Sequence, residues 1–350
     1  MIFRCQLLWA LVALFAMTAC KKNNPTIKPA TSSVDVYVVG FDFINSNTAI
    51  ATYWKNGVEH KVNDSSTYSM AYAIAVQGAD IYMAGYTSLS NGRTQATYWK
   101  NGVAMNLSQQ GSSQAIAVTL NGSDVYVTGY IQSTGTGYYL MSWKNGVADT
   151  IAPGKIYPNG YAIAVDGSDV YIAGTSSVNV SGEQATYWKN GAISILDNAT
   201  FSNASAIAIN GSDVYIAGTV GAGINTTLTY WKNGIINTVA QSGNINVGGI
   251  IVNKSDIYIG GSTFNGGSNT TSTPVATYWK NGVATSLANS SLTSYVLGMA
   301  INGTDVYATG AVGESVSNVT PQATYWKNGV AIKLSQNLSK GYAIAVVPQQ

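Results

Sequence analysis

Acidic and basic side chains are the groups of this chain that could do chemistry, and most of them recur once per unit of a repeat. An aspartate begins the same short strand in seven units: Asp35, Asp80, Asp124, Asp169, Asp213, Asp256 and Asp305. A lysine follows a repeated tryptophan in seven places: Lys55, Lys100, Lys144, Lys189, Lys232, Lys280 and Lys327. A ring of carboxylates could bind cations, and a ring of ammonium groups could bind an anionic surface. We favour structural roles, in which each aspartate accepts N–H groups of its own turn and each lysine keeps a turn solvated.

The remaining carboxylates could support glycoside hydrolysis, which needs two of them about 5 to 9.5 Å apart across a sugar. Eight lie outside the repeated positions: Asp42, Glu59, Asp64, Asp149, Asp166, Glu183, Asp197 and Glu314. Loops could bring Asp42 near Glu314, or Glu183 near Asp197, but no feature of the sequence favours either pair. We therefore predict that the protein is not an enzyme, and we keep a glycan-active hydrolase or lyase as the weaker alternative.

The composition disfavours several other kinds of site. His60 is the only histidine, which argues against a Ser-His-Asp triad and against a multi-histidine metal centre. Cys5 and Cys20 both lie near the N-terminus, in a part of the chain that we expect to be removed or lipidated, so no thiolate ligand remains. The formal net charge is +2 and charged residues make up 9% of the chain, which leaves no basic surface for nucleic acid. We predict no metal, no cofactor and no nucleic-acid partner.

The N-terminal residues indicate export from the cytoplasm. Arg4 precedes an apolar run from Leu7 to Met17, which has the charge and length of a secretory signal and is too short to span a bilayer. Residues 20–33 contain two prolines and no periodicity, which predicts a flexible tether.

Small residues lead directly to Cys20, in the order Thr18-Ala19-Cys20. This order resembles the lipobox of bacterial lipoproteins, and an ordinary cleaved signal with an incidental cysteine is the alternative. The resemblance implies a signal peptide over residues 1–19 and a lipid on Cys20. With Lys21 next, it also implies an anchor in the bacterial outer membrane, on the periplasmic side or at the cell surface.

The elements that must position these groups are repeated units that share a Trp-Lys-Asn-Gly core. The seven tryptophans are Trp54, Trp99, Trp143, Trp188, Trp231, Trp279 and Trp326. Their mean separation is (326 − 54)/6, or about 45 residues, a period typical of propellers and solenoids. In each unit, turn residues separate four short runs in which aromatic or β-branched residues alternate with others. We name these four predicted strands A to D.

The turns and the chain ends decide between a propeller and a solenoid. An Asn-Gly pair between strands C and D recurs in every unit and predicts a type I′ hairpin. The first unit has no strand A, because Asp35 begins its strand B directly after the tether, while Gly341 to Val346 form a strand A that no further strand follows. A closed ring pairs these two strands and removes two exposed sheet edges, whereas a solenoid would leave them unpaired. The sequence therefore predicts an all-β, seven-bladed β-propeller of four-stranded antiparallel blades over residues 34–350, closed by its C-terminal strand.

The repeat also resembles the bacterial extracellular HAF-type repeats, which place a Trp-x-x-Gly turn inside short β units. The His-Ala-Phe of those repeats is replaced by Ala-Thr-Tyr before most of the tryptophans, and the third unit has Met141-Ser142 instead. The resemblance implies this architecture and a location outside the cytoplasm, and it brings no catalytic residues.

The loops between units offer the surface for recognition. In an up-and-down meander the A–B and C–D turns emerge on one face, and the B–C and D–A connections emerge on the other. The second face varies in length and content between units, and variable loops on a rigid scaffold are where recognition usually lies. Aromatic residues that break the repeat fall on this variable face: Phe43, Tyr68, Tyr138, Tyr139, Tyr157, Phe201 and Phe264. Such rings can stack on sugars or anchor a protein partner, although each could equally be packed within its loop.

These observations predict a binding or adhesion module, monomeric and anchored to the envelope, that recognises a glycan or a surface protein through its variable face. A structural scaffold subunit of an outer-membrane complex is the alternative.

Overall fold

A computed structural model describes residues 34–62, 68–108, 111–133, 137–156, 160–177, 182–199, 201–222, 226–241, 243, 245–265, 273–289, 292–314 and 321–349. Contacts divide the chain into Met1–Ser33 and Val34–Gln350, and all described residues lie in the second unit. The signal peptide, the tether, Cys20 and Tyr157 lie outside the described residues. In the described part of the chain, no helix is long and apolar enough to cross a membrane.

The described residues form twenty-eight strands. In chain order they are β1 (Val34–Asn45), β2 (Thr48–Lys55), β3 (Val58–Lys61), β4 (Ser69–Gln77), β5 (Asp80–Ser88), β6 (Thr94–Lys100), β7 (Val103–Asn106), β8 (Ser113–Asn121), β9 (Asp124–Ser133), β10 (Gly137–Lys144), β11 (Val147–Ile156), β12 (Gly160–Asp166), β13 (Asp169–Ser176), β14 (Gln184–Lys189), β15 (Ala192–Ile195), β16 (Ser202–Asn210), β17 (Asp213–Val220), β18 (Thr227–Lys232), β19 (Ile235–Gln241), β20 (Ile245–Asn253), β21 (Asp256–Asn265), β22 (Thr273–Lys280), β23 (Val283–Ser286), β24 (Leu292–Asn302), β25 (Asp305–Glu314), β26 (Gln322–Lys327), β27 (Val330–Lys333) and β28 (Ser339–Pro348).

These strands form seven antiparallel sheets of four strands, arranged as the blades of a β-propeller. Blade 1 has the order β28-β1-β2-β3, blade 2 contains β4 to β7, and the later blades follow in chain order to blade 7, β24 to β27. The inner strands contact one another around the ring, and β28 contacts both β4 and β24. The predicted fold class is confirmed.

The C–D hairpins turn as the Asn-Gly pairs predict. The asparagines of these pairs have φ between 48° and 53°, and their glycines have φ between 82° and 85°. Both values are positive, as a type I′ turn requires.

The C-terminal strand closes the ring by pairing with the first strand of the chain. Val34 pairs with Pro348 and Asp42 pairs with Ser339 at the two ends of the β1–β28 ladder. Asp42 is 1% exposed, and its carboxylate accepts hydrogen bonds from the Ser335 hydroxyl at 2.9 Å and the Asn337 amide at 3.0 Å. Closure of the propeller by its C-terminal strand is therefore confirmed.

Tryptophan and tyrosine side chains fill the wedges between blades. Trp99 of blade 2 packs with Tyr37 of blade 1, and Trp143 of blade 3 packs with Tyr82 of blade 2. Trp54 of blade 1 packs in the same way against Tyr307 of blade 7, across the closure. The repeated aromatic residues therefore form the core between blades.

The repeated charges tie the A–B and C–D turns of each blade together. In blade 2, Asp80 accepts a hydrogen bond from the Asn101 amide at 2.7 Å and pairs with the Lys100 ammonium at 2.9 Å. Asn101 in turn accepts the Ile81 N–H at 2.8 Å, and Lys100 lies 5.1 Å from the centre of the Tyr82 ring. The aspartates and lysines have structural contacts, but the prediction that each aspartate accepts N–H groups of its own turn is wrong. Its partners are side chains of the C–D turn, because the start of strand B lies beside that hairpin. One ion pair of this kind occurs in every blade.

Candidate functional site

A β-bulge interrupts the inner strand of every blade at the same position. In blade 2, Ala71 pairs with Gly85 and Ala73 pairs with Ala84, so Tyr72 has no partner on β5. The residues skipped in this way, from blade 1 to blade 7, are Tyr342, Tyr72, Ile116, Tyr161, Ser205, Gly248 and Leu297. A bulge re-aims the side chain of the extra residue. Each blade therefore presents one residue to the axis of the ring.

In six of the blades, a glycine of strand B allows the bulged inner strand to approach closely. At Gly85 a side-chain carbon would overlap the carbonyl oxygen of Met70 in the neighbouring inner strand. The same overlap with inner-strand backbone occurs at Gly40, Gly129, Gly218, Gly261 and Gly310. Glycine inside a strand is otherwise unfavourable, so its recurrence marks the place where two backbones approach closely.

The bulged residues of all seven blades line one cavity of about 620 Å³ on the propeller axis. They lie in the first half of each inner strand, so the cavity opens on the face of the B–C and D–A connections. The lining residues are Tyr72, Gln114, Ile116, Tyr130, Tyr161, Asn203, Ser205, Asn246, Val247, Gly248, Ser262, Tyr295, Val296, Leu297 and Tyr342. None of these described lining residues carries a carboxylate, an ammonium, a guanidinium, an imidazole or a thiol.

Aromatic rings form one wall of the cavity, on blades 1 to 3. Tyr72 meets Tyr342 edge to face, with the ring centres 5.1 Å apart, and Tyr72 also lies 5.9 Å from Tyr86. On blade 3, the ring of Tyr138 meets that of Tyr130 edge to face at 5.1 Å. Edge-to-face pairs are favourable beyond the area that they bury, so this wall is a rigid apolar surface.

Amide and hydroxyl groups form the facing wall, on blades 5 and 6. The Ser205 hydroxyl donates to the side-chain oxygen Oδ1 of Asn203 at 2.9 Å, and the side-chain Nδ2 of Asn203 donates to the Thr219 hydroxyl at 2.8 Å. Asn246 and Ser262 extend this polar wall onto blade 6. The two walls together offer apolar stacking on one side and neutral donors and acceptors on the other.

The tyrosines of the cavity are neutral at physiological pH. Burial, more than any other cause, raises the pKa of Tyr342 from 10.0 to about 12. Burial likewise raises the pKa of Tyr72 and Tyr86 well above the ordinary value, and neighbouring tyrosines add to the effect. Their hydroxyls therefore donate and accept hydrogen bonds and carry no charge.

The structure places three of the predicted aromatic residues beside this wall, although none of the three lines the cavity itself. Phe43 and Tyr68 meet edge to face at 6.4 Å, and Tyr68 stacks 6.4 Å from Tyr86. Tyr138 joins the wall through Tyr130, as described above. The wall therefore extends from the cavity to the B–C and D–A loops of blades 1 to 3.

The other predicted residues lie elsewhere. Tyr139 packs against the core between blades 2 and 3, because consecutive strand residues point to opposite faces. Phe201 is 49% exposed at the start of blade 5, and Phe264 is half-buried opposite Pro274 in blade 6. None of these three side chains lines the cavity.

Several lining residues escape sequence reasoning, above all Tyr72, Tyr161 and Tyr342. Strict alternation along a strand does not show that these side chains point to the axis, because a bulge does not appear in the hydrophobic pattern. The recurring glycine of strand B, at Gly85 and its equivalents, is the signal that could have indicated the bulge.

The described residues assemble no metal centre. Among their carboxyl groups, Asp42 and Glu59 interact: burial, followed by a hydrogen bond with Asp42, raises the pKa of Glu59. No group of three or more histidine, cysteine, aspartate or glutamate residues in the described ranges could hold a metal ion. Asp42, a member of one of the two carboxylate pairs considered above, is occupied by its hydrogen bonds to Ser335 and Asn337 in the closure of the ring.

No protein family and no curated protein matches this sequence. The resemblance to HAF-type repeats therefore stays an expectation.

Solved structures are similar in fold. An uncomplexed acylaminoacyl peptidase of Pyrococcus horikoshii matches with a TM-score of 0.55 at 11% identity, over 87% of this chain and 51% of that one. This chain thus spans about half the length of that peptidase. TolB from Acinetobacter baumannii matches with a TM-score of 0.50 at 11% identity, over 89% and 83% of the two chains. The β-propeller domain of the Trilobed protease from Pyrococcus furiosus, described as having an open velcro topology, matches with a TM-score of 0.50 at 10% identity, over 87% and 92%. At these identities the likeness establishes the β-propeller fold alone.

Proposed function

We propose that this protein is a carbohydrate-binding module that holds a neutral sugar in the axial cavity on its variable face. One observation carries the proposal: tyrosine rings, mainly on blades 1 to 4, face amide and hydroxyl groups, mainly on blades 5 and 6, and no described residue that lines the cavity is charged. A sugar ring has an apolar C–H face and a hydroxyl edge, which match an aromatic wall and a neutral polar wall. The volume of about 620 Å³ is within the range of ligand pockets.

The cavity favours a ligand over a purely architectural role. A scaffold subunit has no need of a concave aromatic surface, whereas a binding protein presents one with a few convergent polar groups. A surface protein could place a side chain in the same cavity, and capture of a fixed envelope protein is the result that would favour this second candidate.

An enzymatic function has less support. Two of the solved structures of similar fold are named as a peptidase and a domain of a protease, but they share only the fold with this chain. The described residues that line the cavity offer tyrosine hydroxyls, amides and a serine hydroxyl, with no general base beside them.

The module is placed at the bacterial outer membrane by our reading of its N-terminus. The apolar run and the Thr18-Ala19-Cys20 order support export and a lipid anchor on Cys20. A lipid-anchored propeller can present its cavity to glycans on the periplasmic side or at the cell surface.

A glycan array tests the proposal. The purified protein is expected to bind neutral oligosaccharides and not to prefer uronic-acid or sulfated chains, because none of the described residues that line the cavity is cationic. An envelope pull-down serves as the parallel test for a protein ligand. Absence of binding to any neutral glycan, together with capture of one envelope protein, would contradict the proposal.

A further inference from the structure

Blade 6 differs from blade 5 in the polar groups that it turns toward the axial cavity. Asn203 pairs with Thr219 in the ladder of blade 5, and Asn246 pairs with Ser262 at the same place in blade 6. In blade 5 the bulged Ser205 donates to Asn203, which donates to Thr219, so these three side chains satisfy one another.

The equivalent groups of blade 6 have no such partners. Its bulged residue is Gly248, where a side-chain carbon would overlap the carbonyl oxygen of Val296 from blade 7. No hydroxyl can therefore take the place of Ser205. Ser262 is 0% exposed, and its hydroxyl has no hydrogen-bond partner among the described residues. The side chain of Asn246 is exposed and makes no hydrogen bond with the described residues.

A buried hydroxyl without a partner is destabilising, because it has lost water and gained no hydrogen bond in exchange. Thr175 of blade 4 has a similar unpartnered hydroxyl, but it does not line the cavity. Ser262 and Asn246 do line it, so a bound molecule can supply the missing partners.

We propose that Asn246 and Ser262 determine specificity by binding the hydroxyl-bearing edge of a sugar, an inference that rests on the proposed function. A serine hydroxyl and an asparagine amide each donate and accept, which matches sugar hydroxyls better than a carboxylate, phosphate or ammonium group. Blade 6 lies across the ring from blades 2 and 3, whose Tyr72 and Tyr130 line the far wall. The apolar face of the same sugar therefore stacks on tyrosine, while its hydroxyl-bearing edge contacts Asn246 and Ser262, which we call the blade 6 notch.

The test compares substitutions in blade 6 with a control substitution in blade 3, all in the full protein. Cellohexaose, xylohexaose and mannohexaose are the probes, hexagalacturonate is the charged comparison, and affinity is measured by isothermal titration calorimetry. Ser262→Ala and Asn246→Ala should each weaken binding of the tightest neutral probe by about threefold to thirtyfold. Ser262→Ala should leave the melting temperature of the free protein unchanged or raised, since it removes a hydroxyl that had no partner.

Thr128→Ala is the control, because it removes a buried hydroxyl that donates to the Met141 carbonyl oxygen at 2.9 Å and does not line the cavity. It should lower the melting temperature by about 2 to 4 °C and change affinity by less than about twofold. One outcome is a neutral probe that binds the wild type and binds Tyr161→Ala more weakly, yet binds both blade 6 variants with wild-type affinity. That result would overturn the role of the blade 6 notch and leave the proposed function standing. A wild-type protein that binds none of the neutral probes, or prefers hexagalacturonate, overturns both.

Discussion

Tyr72 meets Tyr342 edge to face with ring centres 5.1 Å apart, although Tyr72 belongs to the first inner strand of the chain and Tyr342 to the last. The pairing of β28 with β1 therefore both closes the propeller and completes the aromatic wall of the cavity. Stability and binding share this strand.

Deletion of residues 341–350 should destabilise the protein by several kcal/mol, because blade 1 loses the burial and the ladder hydrogen bonds of β28. The truncated protein should aggregate or melt early in a thermal scan. Deletion of residues 349–350 is the control, since they lie beyond β28 and only the exposed Gln349–Asp35 hydrogen bond would be lost. A melting temperature within about 2 °C of the intact protein for the longer deletion would show that closure contributes little.

Gly85→Ala should destabilise the protein by roughly 3 kcal/mol or more, because the added methyl group overlaps the Met70 carbonyl oxygen and neither backbone can move freely. Gly102→Ala is the matched control: its φ is +82° and nothing lies within 4 Å of the added carbon, so the cost is about 1 kcal/mol. Urea denaturation measures both. Equal destabilisation by the two substitutions would argue against a tight bulge.

The ring and its hairpins follow from the sequence, whereas the cavity does not. The hairpin can be predicted because the Asn101-Gly102 pair is a local signal. The closure can be predicted because the C-terminal strand around Tyr342 has only the first strand of the chain left to pair with. The direction of Tyr72 depends on a bulge, which is a one-residue irregularity that periodicity conceals. Tyr138 and Tyr139 look equivalent in sequence, but strand alternation places the first beside Tyr130 and the second in the core between blades.

The protein should lose stability in acid through its aspartate–lysine–asparagine clusters. The hydrogen bond from Lys55, followed by that from Asn56, lowers the pKa of Asp35 from 3.8 to about 2. A pKa that is lower in the folded state contributes stability above the unfolded value and loses it as pH falls through the folded value. The melting temperature should therefore fall between about pH 4 and pH 2.

Asp169→Asn together with Asp213→Asn should make that fall shallower, because two of the lowered carboxylate pKa values are removed. The two substitutions should change the melting temperature little at pH 7, since ion pairs at the surface contribute little to stability. Thermal scans across this pH range at low and high salt measure the dependence. A melting temperature that is flat from pH 5 to pH 2, about the range over which these groups titrate, would count against the role of the clusters.

Cys20→Ala should abolish labelling by a radioactive or alkyne fatty acid and release the protein from the membrane fraction, because the substituted residue has no thiol to acylate. Cys5→Ala, within the predicted signal peptide, is the control and should leave both unchanged. Unchanged membrane retention of the Cys20→Ala protein would contradict the lipid anchor.

We expect ligands to bind in the axial cavity on the variable face. The most direct measurement is the affinity, by isothermal titration calorimetry, of the tightest-binding neutral glycan for the wild type, Tyr161→Ala and Lys100→Ala. Tyr161 lines the cavity and is 38% exposed, while Lys100 lies on the opposite face, paired with Asp80. Tyr161→Ala should weaken binding by about 1 to 3 kcal/mol, the scale of a lost interface anchor, and Lys100→Ala should leave affinity unchanged. Loss of binding in Lys100→Ala with full affinity in Tyr161→Ala would show that the ligand binds on the face of the A–B and C–D turns instead.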